Sequence, residues 1–255
     1  MATSFRSRLK SGETLLGTMA TIPSLPTAEI LAGIGFDWLF IDGEHGPLTN
    51  DSLLALLSGI GDRSATLVRV PTAEEAPIKQ ILDLGATGII APQVNTARQA
   101  SDVVRFARYS PEGARGVGVG RAHGYGMQFQ EYLQRAREET VVVVQAEHRD
   151  AVDNIEAIVK VEGIDAILLG PYDLSASYGL MGQLDHPQVV QAIDHVFETS
   201  RAAGLAVGMF ALNPEALAPF IERGYSLIVS GVDTLHLGQK AIEVHTTLKS
   251  YLNPS

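Results

Sequence analysis

The chain has 255 residues, of which 45% are hydrophobic, with a formal net charge of −10 at pH 7 and no cysteine. This length and composition are sufficient to bury the core of a globular protein. The acidic balance disfavours nucleic acid as a partner, because no basic stripe is available to replace the counterions of phosphates. The absence of cysteine excludes disulfides, thiolate metal sites and a cysteine nucleophile, so any metal needs oxygen or nitrogen ligands.

The apolar runs of the sequence also bear on location. The first residues contain no apolar core of signal-peptide length, and no apolar run approaches the ~20 residues that span a bilayer. We therefore expect a cytoplasmic protein without a membrane partner. Small molecules and other protein chains remain as candidate partners.

One unit recurs along the chain: an amphipathic helix, a glycine, a short gap and an apolar strand. Gly35, Gly85, Gly163, Gly204 and Gly224 end the helical parts, which predicts left-handed C-caps that turn the chain back towards a sheet. With the other apolar runs, the units predict eight strands, at 14–21, 38–42, 66–70, 88–92, 141–147, 165–170, 205–210 and 227–231.

Eight apolar strands that alternate with helical patterns favour an α/β fold, a single (β/α)₈ TIM barrel over residues 1–255. An open doubly wound sheet is the alternative. The segment 109–128, between the fourth helix and the fifth strand, contains six glycines. No helix begins where a phosphate-binding loop would need one, so we interpret this segment as a long functional loop over the barrel mouth.

In a TIM barrel, chemistry belongs at the carboxyl ends of the strands. Four predicted strands end in polar residues: Asp42, Glu44 and His45 after the second, Arg69 in the third, Gln145 and Glu147 in the fifth, and Asp173 after the sixth. A guanidinium, an imidazole, an amide and two carboxylates at one end of neighbouring strands make a candidate catalytic group.

Several of these residues also have a purely structural interpretation. Asp173 could be the N-cap of the next helix. Arg69 could form an ion pair with Asp62 or Asp83. An isolated histidine such as His45 is more often a surface residue than a base.

The fifth strand is harder to explain structurally. Gln145 and Glu147 are alternate residues, so they point to the same side, and both need polar partners there. Two carboxylates, Glu147 and Asp173, suit a hard divalent cation such as Mg²⁺ or Mn²⁺, which takes further oxygens from water or substrate. Such a site binds a 2-oxo acid, and with the positive charge of Arg69 it favours enolate chemistry.

Five motifs, "WLFIDGEHGPL", "VRVP", "YSPEGARGVG", "VQAEHRDAVDNIEAI" and "LLGPYDLSASYG", carry a family resemblance that covers nearly the whole chain. They resemble the metal-dependent (class II) pyruvate aldolases, the group of 4-hydroxy-2-oxoheptanedioate aldolase and 2-dehydro-3-deoxyglucarate aldolase. The resemblance implies reversible cleavage of 4-hydroxy-2-oxo acids to pyruvate and an aldehyde through a pyruvate enolate. It also implies decarboxylation of oxaloacetate as a side reaction, a divalent cation (Mg²⁺, Mn²⁺ or Co²⁺) and a role in aromatic or sugar acid catabolism.

The same resemblance implies roles for individual residues. It makes His45 the general base, supported by Asp42, and Asp83 a residue that tunes the histidine or Arg69, while Glu44 is expected to be structural. The implied metal ligands are Glu147 and Asp173. The implied substrate contacts are Arg69, Gln145, Gly170, Pro171, Tyr172 and Leu212, and Tyr172 stands where the family usually has a small residue. The family implies a homohexamer in which the helix after Asp233 is exchanged.

Three alternatives follow from the same pattern. A Schiff-base aldolase needs a lysine on a barrel strand, and the five lysines all fall in helical or terminal segments. A lyase of CoA thioesters would share the enolate chemistry, although no basic patch for the adenine phosphate is evident. A non-catalytic 2-oxo acid binding protein would not need a base at His45.

Overall fold

The computed structural model describes residues 3–252, and its strands form a closed parallel barrel in chain order. The strands, β1 to β8, are Leu15–Ala20, Trp38–Asp42, Ala65–Arg69, Gly88–Ala91, Val141–Ala146, Ala166–Leu169, Ala206–Ala211 and Leu227–Val232. β1 pairs with β8 to complete the ring. The predicted (β/α)₈ barrel is therefore confirmed, and the open-sheet alternative is wrong.

Helices follow the strands around the outside of the barrel. The α-helices, α1 to α12, are Phe5–Lys10, Leu25–Ile34, Asn50–Ile60, Glu75–Asp83, Ala97–Ala107, Phe129–Glu139, Arg149–Asp153, Ile155–Ile158, Pro171–Ser177, Pro187–Ala202, Ala218–Arg223 and Asp233–Leu252. Gly35 and Gly224 end two of them with φ of 108° and 99°. Only a residue without a Cβ adopts this geometry at little cost, so the predicted left-handed caps are confirmed there.

The core has two layers, because successive strand residues face opposite sides. In β2, Trp38 and Phe40 point into the barrel, whereas Leu39 and Ile41 pack under the helices. Gly17 makes room for the indole of Trp38, since a Cβ there would lie 2.7 Å from the ring. The next inward-facing position of β2 is Asp42, so the alternation aims this carboxylate at the barrel mouth.

A buried ionic network closes the amino end of the barrel. Asp165, fully buried just before β6, accepts hydrogen bonds from Arg6 Nε at 2.7 Å, Arg108 Nη2 at 3.2 Å and the backbone N–H of Val142 at 2.9 Å. Arg6 lies on α1, so the network ties this helix across the base of the barrel. This end is opposite to the one predicted to carry the chemistry.

The segment 109–128 also lies at the amino end, which corrects its predicted place over the mouth. It connects α5 to α6, the helix that precedes β5. In a TIM barrel, a connection that leads from a helix back to the next strand lies at the amino end of the strands. Arg115 Nη2 binds Asp83 Oδ1 at 2.6 Å, and Arg121 Nη1 donates to the carbonyl oxygen of Leu84 at 3.0 Å. These contacts hold the segment against the carboxyl end of α4.

The last helix, α12, continues directly from β8 and is mostly exposed. Asp233 is its buried residue, and its carboxylate accepts hydrogen bonds from Thr21 and Ile22 beside β1. Further along, large apolar side chains such as Leu237, 67% exposed, and Leu248, 58% exposed, face outwards. None of the helices in residues 3–252 has the length and apolar character needed to cross a membrane.

Candidate active site

The ends of β2 and β3 carry the first part of the site. Their register places Asp42 beside Arg69, and the carboxylate binds the guanidinium at two points, Oδ1 to Nε at 2.9 Å and Oδ2 to Nη2 at 2.8 Å. Glu44 Oε2 lies 3.2 Å from Arg69 Nη1. The ion-pair partners of Arg69 are therefore Asp42 and Glu44, whereas the sequence suggested Asp62 or Asp83.

Asp42 also organises the turn that bears His45. Its Oδ1 accepts hydrogen bonds from the backbone N–H groups of Glu44 at 3.1 Å and His45 at 3.3 Å. It thus holds the histidine through the main chain. The imidazole itself is 72% exposed, and its Nε2 lies 3.8 Å from Glu44 Oε2. The ring is accessible to a substrate and has one carboxylate beside it.

The two charges behind this turn stabilise each other. Burial favours a raised pKa for Asp42, but the hydrogen bonds and charge of Arg69 outweigh it, so the pKa lies below its ordinary value. Burial alone would lower the pKa of Arg69, but Asp42, Glu44 and Glu147 raise it. The guanidinium therefore stays charged at the mouth, where it also lies 5.3 Å from the centre of the Phe40 ring.

The end of β5 supplies a second, more deeply buried carboxylate. Glu147, 2% exposed, accepts a hydrogen bond on Oε1 from the backbone N–H of Gln93 at 2.8 Å, and on Oε2 from Gln145 Nε2. Gln145 Oε1 has no hydrogen-bond partner within residues 3–252. Burial raises the pKa of Glu147 to about 7, opposed by Gln93 and reinforced by the charges of Asp173 and Glu44.

The junction of β6 and α9 brings Asp173 to the same place. Gly170 is the N-cap of α9, and Asp173 lies in the first helical turn, so the capping interpretation of Asp173 is wrong. A Cβ at Gly170 would lie 2.8 Å from Glu147 Cβ and 2.9 Å from Gln145 Nε2. The missing side chain keeps open the space beside the buried carboxylate.

A cavity of about 330 Å³ opens at this end of the barrel and collects most of the predicted residues. Eight of them line it: His45, Arg69, Gln145, Gly170, Pro171, Tyr172, Asp173 and Leu212. The rest of the lining is apolar: Met19, Phe40, Leu168, Leu169 and Phe210. The cavity thus combines polar side chains at the ends of β2, β3, β5 and β6 with apolar side chains from β1, β2, β6 and β7.

Three predicted residues do not line this cavity. Asp42 and Glu147 bind Arg69 and Gln145, which do line it, whereas Asp83 lies elsewhere. Asp83 ends α4 at the amino end of the barrel, where its carboxylate binds Arg115. Glu44, expected from the sequence to be structural, forms an ion pair with Arg69 at the site. Gln93 has no signal in the sequence, because only the folded chain brings its backbone N–H to the carboxylate of Glu147.

The donors fit a hard divalent cation. The charge of Asp173 is close enough to raise the pKa of Glu147, and a cation between the two carboxylates would remove this repulsion. No three His, Asp or Glu side chains within residues 3–252 converge as a metal cluster. Two protein carboxylates leave positions for water and substrate oxygens, which is the coordination that Mg²⁺ prefers.

The similarities to known proteins agree with this geometry. Residues 23–239 match the HpcH/HpaI aldolase/citrate lyase family. The chain is 44% identical to the 4-hydroxy-2-oxovalerate aldolase of Rhodococcus jostii, over 91% of this chain and 90% of that protein. It is 39% identical to the 4-hydroxy-2-oxo-heptane-1,7-dioate aldolase of Shigella sonnei, over 94% and 93% of the two chains.

A solved structure agrees as well. An HpcH/HpaI aldolase/citrate lyase family protein from Burkholderia cenocepacia superposes with a TM-score of 0.92 at 36% identity, over 96% of this chain and 98% of that one. The family match extends from before β2 to beyond β8 and includes every candidate site residue.

Proposed function

Because this chain belongs to the HpcH/HpaI aldolase/citrate lyase family, we propose that it reversibly cleaves 4-hydroxy-2-oxo acids to pyruvate and an aldehyde. The observation that carries the proposal is the buried Arg69, held at two points by Asp42 and facing the same cavity as His45 and Asp173. A fixed positive charge beside a carboxylate pair suits a reaction in which negative charge develops on a ketone oxygen.

The proposed cofactor is a divalent cation, Mg²⁺, Mn²⁺ or Co²⁺, with Glu147 and Asp173 as its protein ligands. When bound, it would supply a Lewis acid for the 2-oxo acid, which is worth several kcal/mol of charge stabilisation. The chain's own contribution is to keep the buried carboxylate oriented through Gln93 and Gln145.

The side chains divide the remaining work. Arg69 binds the 2-oxo acid and stabilises the enolate oxygen. In the cleavage direction, His45 takes the proton of the 4-hydroxyl group. In the aldol addition direction, it takes a proton from the methyl group of pyruvate. Gln145 lines the cavity and contacts the substrate, and its buried Oε1, which has no hydrogen-bond partner within residues 3–252, is the acceptor it offers. Asp42 keeps the guanidinium and the histidine turn in register.

The apolar part of the cavity lining is a candidate for the aldehyde portion of the substrate. Pro171, Tyr172 and Leu212 line the cavity, and Tyr172 is 52% exposed. Tyr172 stands where the family usually has a small residue. We propose that these residues contact the aldehyde portion of the substrate.

A retro-aldol assay over a panel of 4-hydroxy-2-oxo acids tests the function. We expect pyruvate release to stop after chelation and to return with Mg²⁺, Mn²⁺ or Co²⁺. Full activity of the metal-free protein would overturn the metal-dependent mechanism. Proton exchange at the pyruvate methyl group is also expected, and its absence would favour a non-catalytic 2-oxo acid binding protein. Turnover of CoA thioesters, without turnover of any 4-hydroxy-2-oxo acid, would favour the alternative of a CoA-thioester lyase.

Borohydride treatment in the presence of pyruvate tests the Schiff-base alternative. All five lysines lie in the described part of the chain, and none is on a strand. We therefore expect no trapped adduct. A mass increase equal to that of reduced pyruvate would contradict this.

The proposed assembly is a homohexamer with an exchanged C-terminal helix, supported by the exposed apolar residues of α12. An assembly also gives Asp83 a way to act on His45 or Arg69. Within one chain this carboxylate lies at the opposite end of the barrel, so its predicted tuning role needs a neighbouring copy. Loss of cleavage in Asp83→Asn with the assembly intact would support that role. Cleavage by Asp83→Asn with the same kinetics as the wild type would contradict it.

A further inference from the structure

Gln93 adopts a backbone conformation that its residue type disfavours. Within residues 3–252, two residues other than glycine have a positive φ, Gln93 at 54° and Tyr125 at 53°. The left-handed region is disfavoured for a residue with a Cβ, because the Cβ comes too close to the following carbonyl oxygen. Such strain persists only where the surrounding structure imposes it, and it concentrates at functional sites.

The strained peptide lies at the carboxyl end of the barrel, two residues after β4. Its N–H donates to Glu147 Oε1 at 2.8 Å, while Gln145 Nε2 donates to Oε2 of the same carboxylate. Each oxygen of Glu147 therefore has one donor. Gly170, just after β6, leaves the space beside the carboxylate open because it has no side chain. The plane of the carboxylate is thus set by one donor that follows β4 and one on β5.

The side chain of Gln93 takes no part in this arrangement. It is exposed, whereas the neighbouring Pro92 and Val94 are buried and fix the main chain on both sides. Any residue that tolerates the left-handed region would present the same N–H. The contribution of position 93 is therefore made by the backbone.

We infer that Gln93 is a positioning residue whose left-handed peptide orients Glu147 for cation binding. The inference rests on the proposed function, because it needs the proposed cation site at Glu147 and Asp173. Outer partners of metal ligands commonly contribute about 10- to 100-fold to affinity. A donor supplied by a constrained backbone does so without a side chain that has to be ordered.

The test compares residues by their tolerance of the left-handed region, with Mn²⁺ alone as the probe. Glycine adopts positive φ freely, and a β-branched residue does so worst. We expect Gln93→Gly to bind Mn²⁺ within about twofold of wild type, because the N–H stays in place. Gln93→Val should bind about 10- to 100-fold more weakly, because its backbone leaves this region. Titration calorimetry measures both affinities, on substrate-free protein from which metal has been removed with a chelator.

Tyr125 provides the matched control. It has the same backbone conformation but lies in the segment at the amino end of the barrel. Tyr125→Val should therefore lower the unfolding temperature as a strained substitution does, yet leave Mn²⁺ affinity unchanged. A loss of affinity there would mean that general destabilisation explains the Gln93→Val result and would overturn the inference.

The remaining outcomes are also decisive. Wild-type affinity in a folded Gln93→Val would overturn the inference while leaving the proposed function intact. An equal loss in Gln93→Gly would show that the side chain matters and would likewise overturn it. If Gln93→Val does not fold, Gln93→Ala against Gln93→Gly gives the same comparison with a smaller expected difference. A wild type that cleaves substrate without binding any cation would overturn the proposed function and the inference together.

Discussion

Arg69 shows how a single buried residue sets the electrostatics of the mouth. Below it, the inward-facing positions of β2 and β3 are apolar: Trp38, Phe40 and Leu67. Its charge is balanced by Asp42 and Glu44. A buried charge pair of this kind contributes little net stability but becomes costly when one partner is removed. Its value lies in holding a charged, oriented donor where a substrate oxygen would sit.

His45 is expected to act as the general base of the cleavage reaction and not as a group that binds metal or substrate. Retro-aldol cleavage needs a proton taken from the 4-hydroxyl, whereas decarboxylation of oxaloacetate reaches the same enolate by losing CO₂. We expect His45→Ala to lower cleavage by about 10²–10⁴-fold and decarboxylation much less. Arg69→Ala and Asp173→Ala should lose both reactions. Equal losses in His45→Ala, measured with both substrates, would mean that the histidine holds metal or substrate.

Glu147 makes cation binding depend on pH. Its pKa of about 7 lies above the ordinary value of 4.5, and a cation binds the ionised form. Affinity for Mn²⁺ should therefore rise with pH and level off above about 7, being about tenfold weaker one unit below. Calorimetric titrations at several pH values measure this trend. A constant dissociation constant between about pH 5 and pH 8 would contradict it.

The same shift has a consequence for the stability of the metal-free protein. The folded chain holds this proton more tightly than the unfolded chain, so the stabilisation is complete below the ordinary pKa and is lost as pH rises through about 7. Glu147→Gln cannot titrate. The difference in unfolding free energy between wild type and this variant should therefore change with pH, and a constant difference would argue against a raised pKa.

At the scale of elements, the two ends of the barrel have separate tasks. The carboxyl end bears the cavity, while the amino end is closed by α1, the segment 109–128 and the Asp165 network. This separation allows stability and chemistry to be changed independently.

Asp165 tests this separation. Asp165→Ala leaves Arg108 buried without its carboxylate, so the unfolding free energy should fall by about 3–5 kcal/mol. Cleavage by the folded fraction should keep its wild-type KM, because the site lies at the other end. Asp194, whose pair with Arg223 at 2.6 Å is exposed, is the control, and Asp194→Ala should cost no more than about 1 kcal/mol. The unfolding free energies of both variants are measured by denaturant titration. Equal losses in Asp165→Ala and Asp194→Ala would refute a special role for the buried network.

At the scale of the whole molecule, α12 is the element whose apolar surface is least explained by one chain. Apolar residues recur along it at helical spacing, and they remain exposed: Leu237, Ile242, Val244, Leu248, Tyr251 and Leu252. Contiguous exposed apolar surface marks an interaction site. The family resemblance points to other copies of this chain as the partner.

Light scattering tests the assembly. We expect a mass about six times the 27.2 kDa of one chain. Leu248→Glu should lower this mass, because a charge would be buried in the interface, whereas Lys249→Glu next to it should not. A wild-type mass equal to one chain under native conditions would refute the proposed hexamer.

The barrel, its eight strands and the group of polar residues at their carboxyl ends can all be predicted from the amino-acid sequence. These features depend on local properties: apolar runs, glycine caps and the alternation that aims Asp42, Arg69 and Gln145 inwards. Such properties are encoded in neighbouring residues, so they can be read without knowing the fold.

Which of these residues contact one another, and where the irregular segments lie, became known from the folded chain. The register of β2 and β3 gave Arg69 its partners, and barrel closure brought the peptide of Gln93 to Glu147. The segment 109–128 and Asp83 went to the amino end because the connection follows a helix and not a strand. Contacts between residues far apart in sequence depend on strand register and closure, which no local pattern encodes.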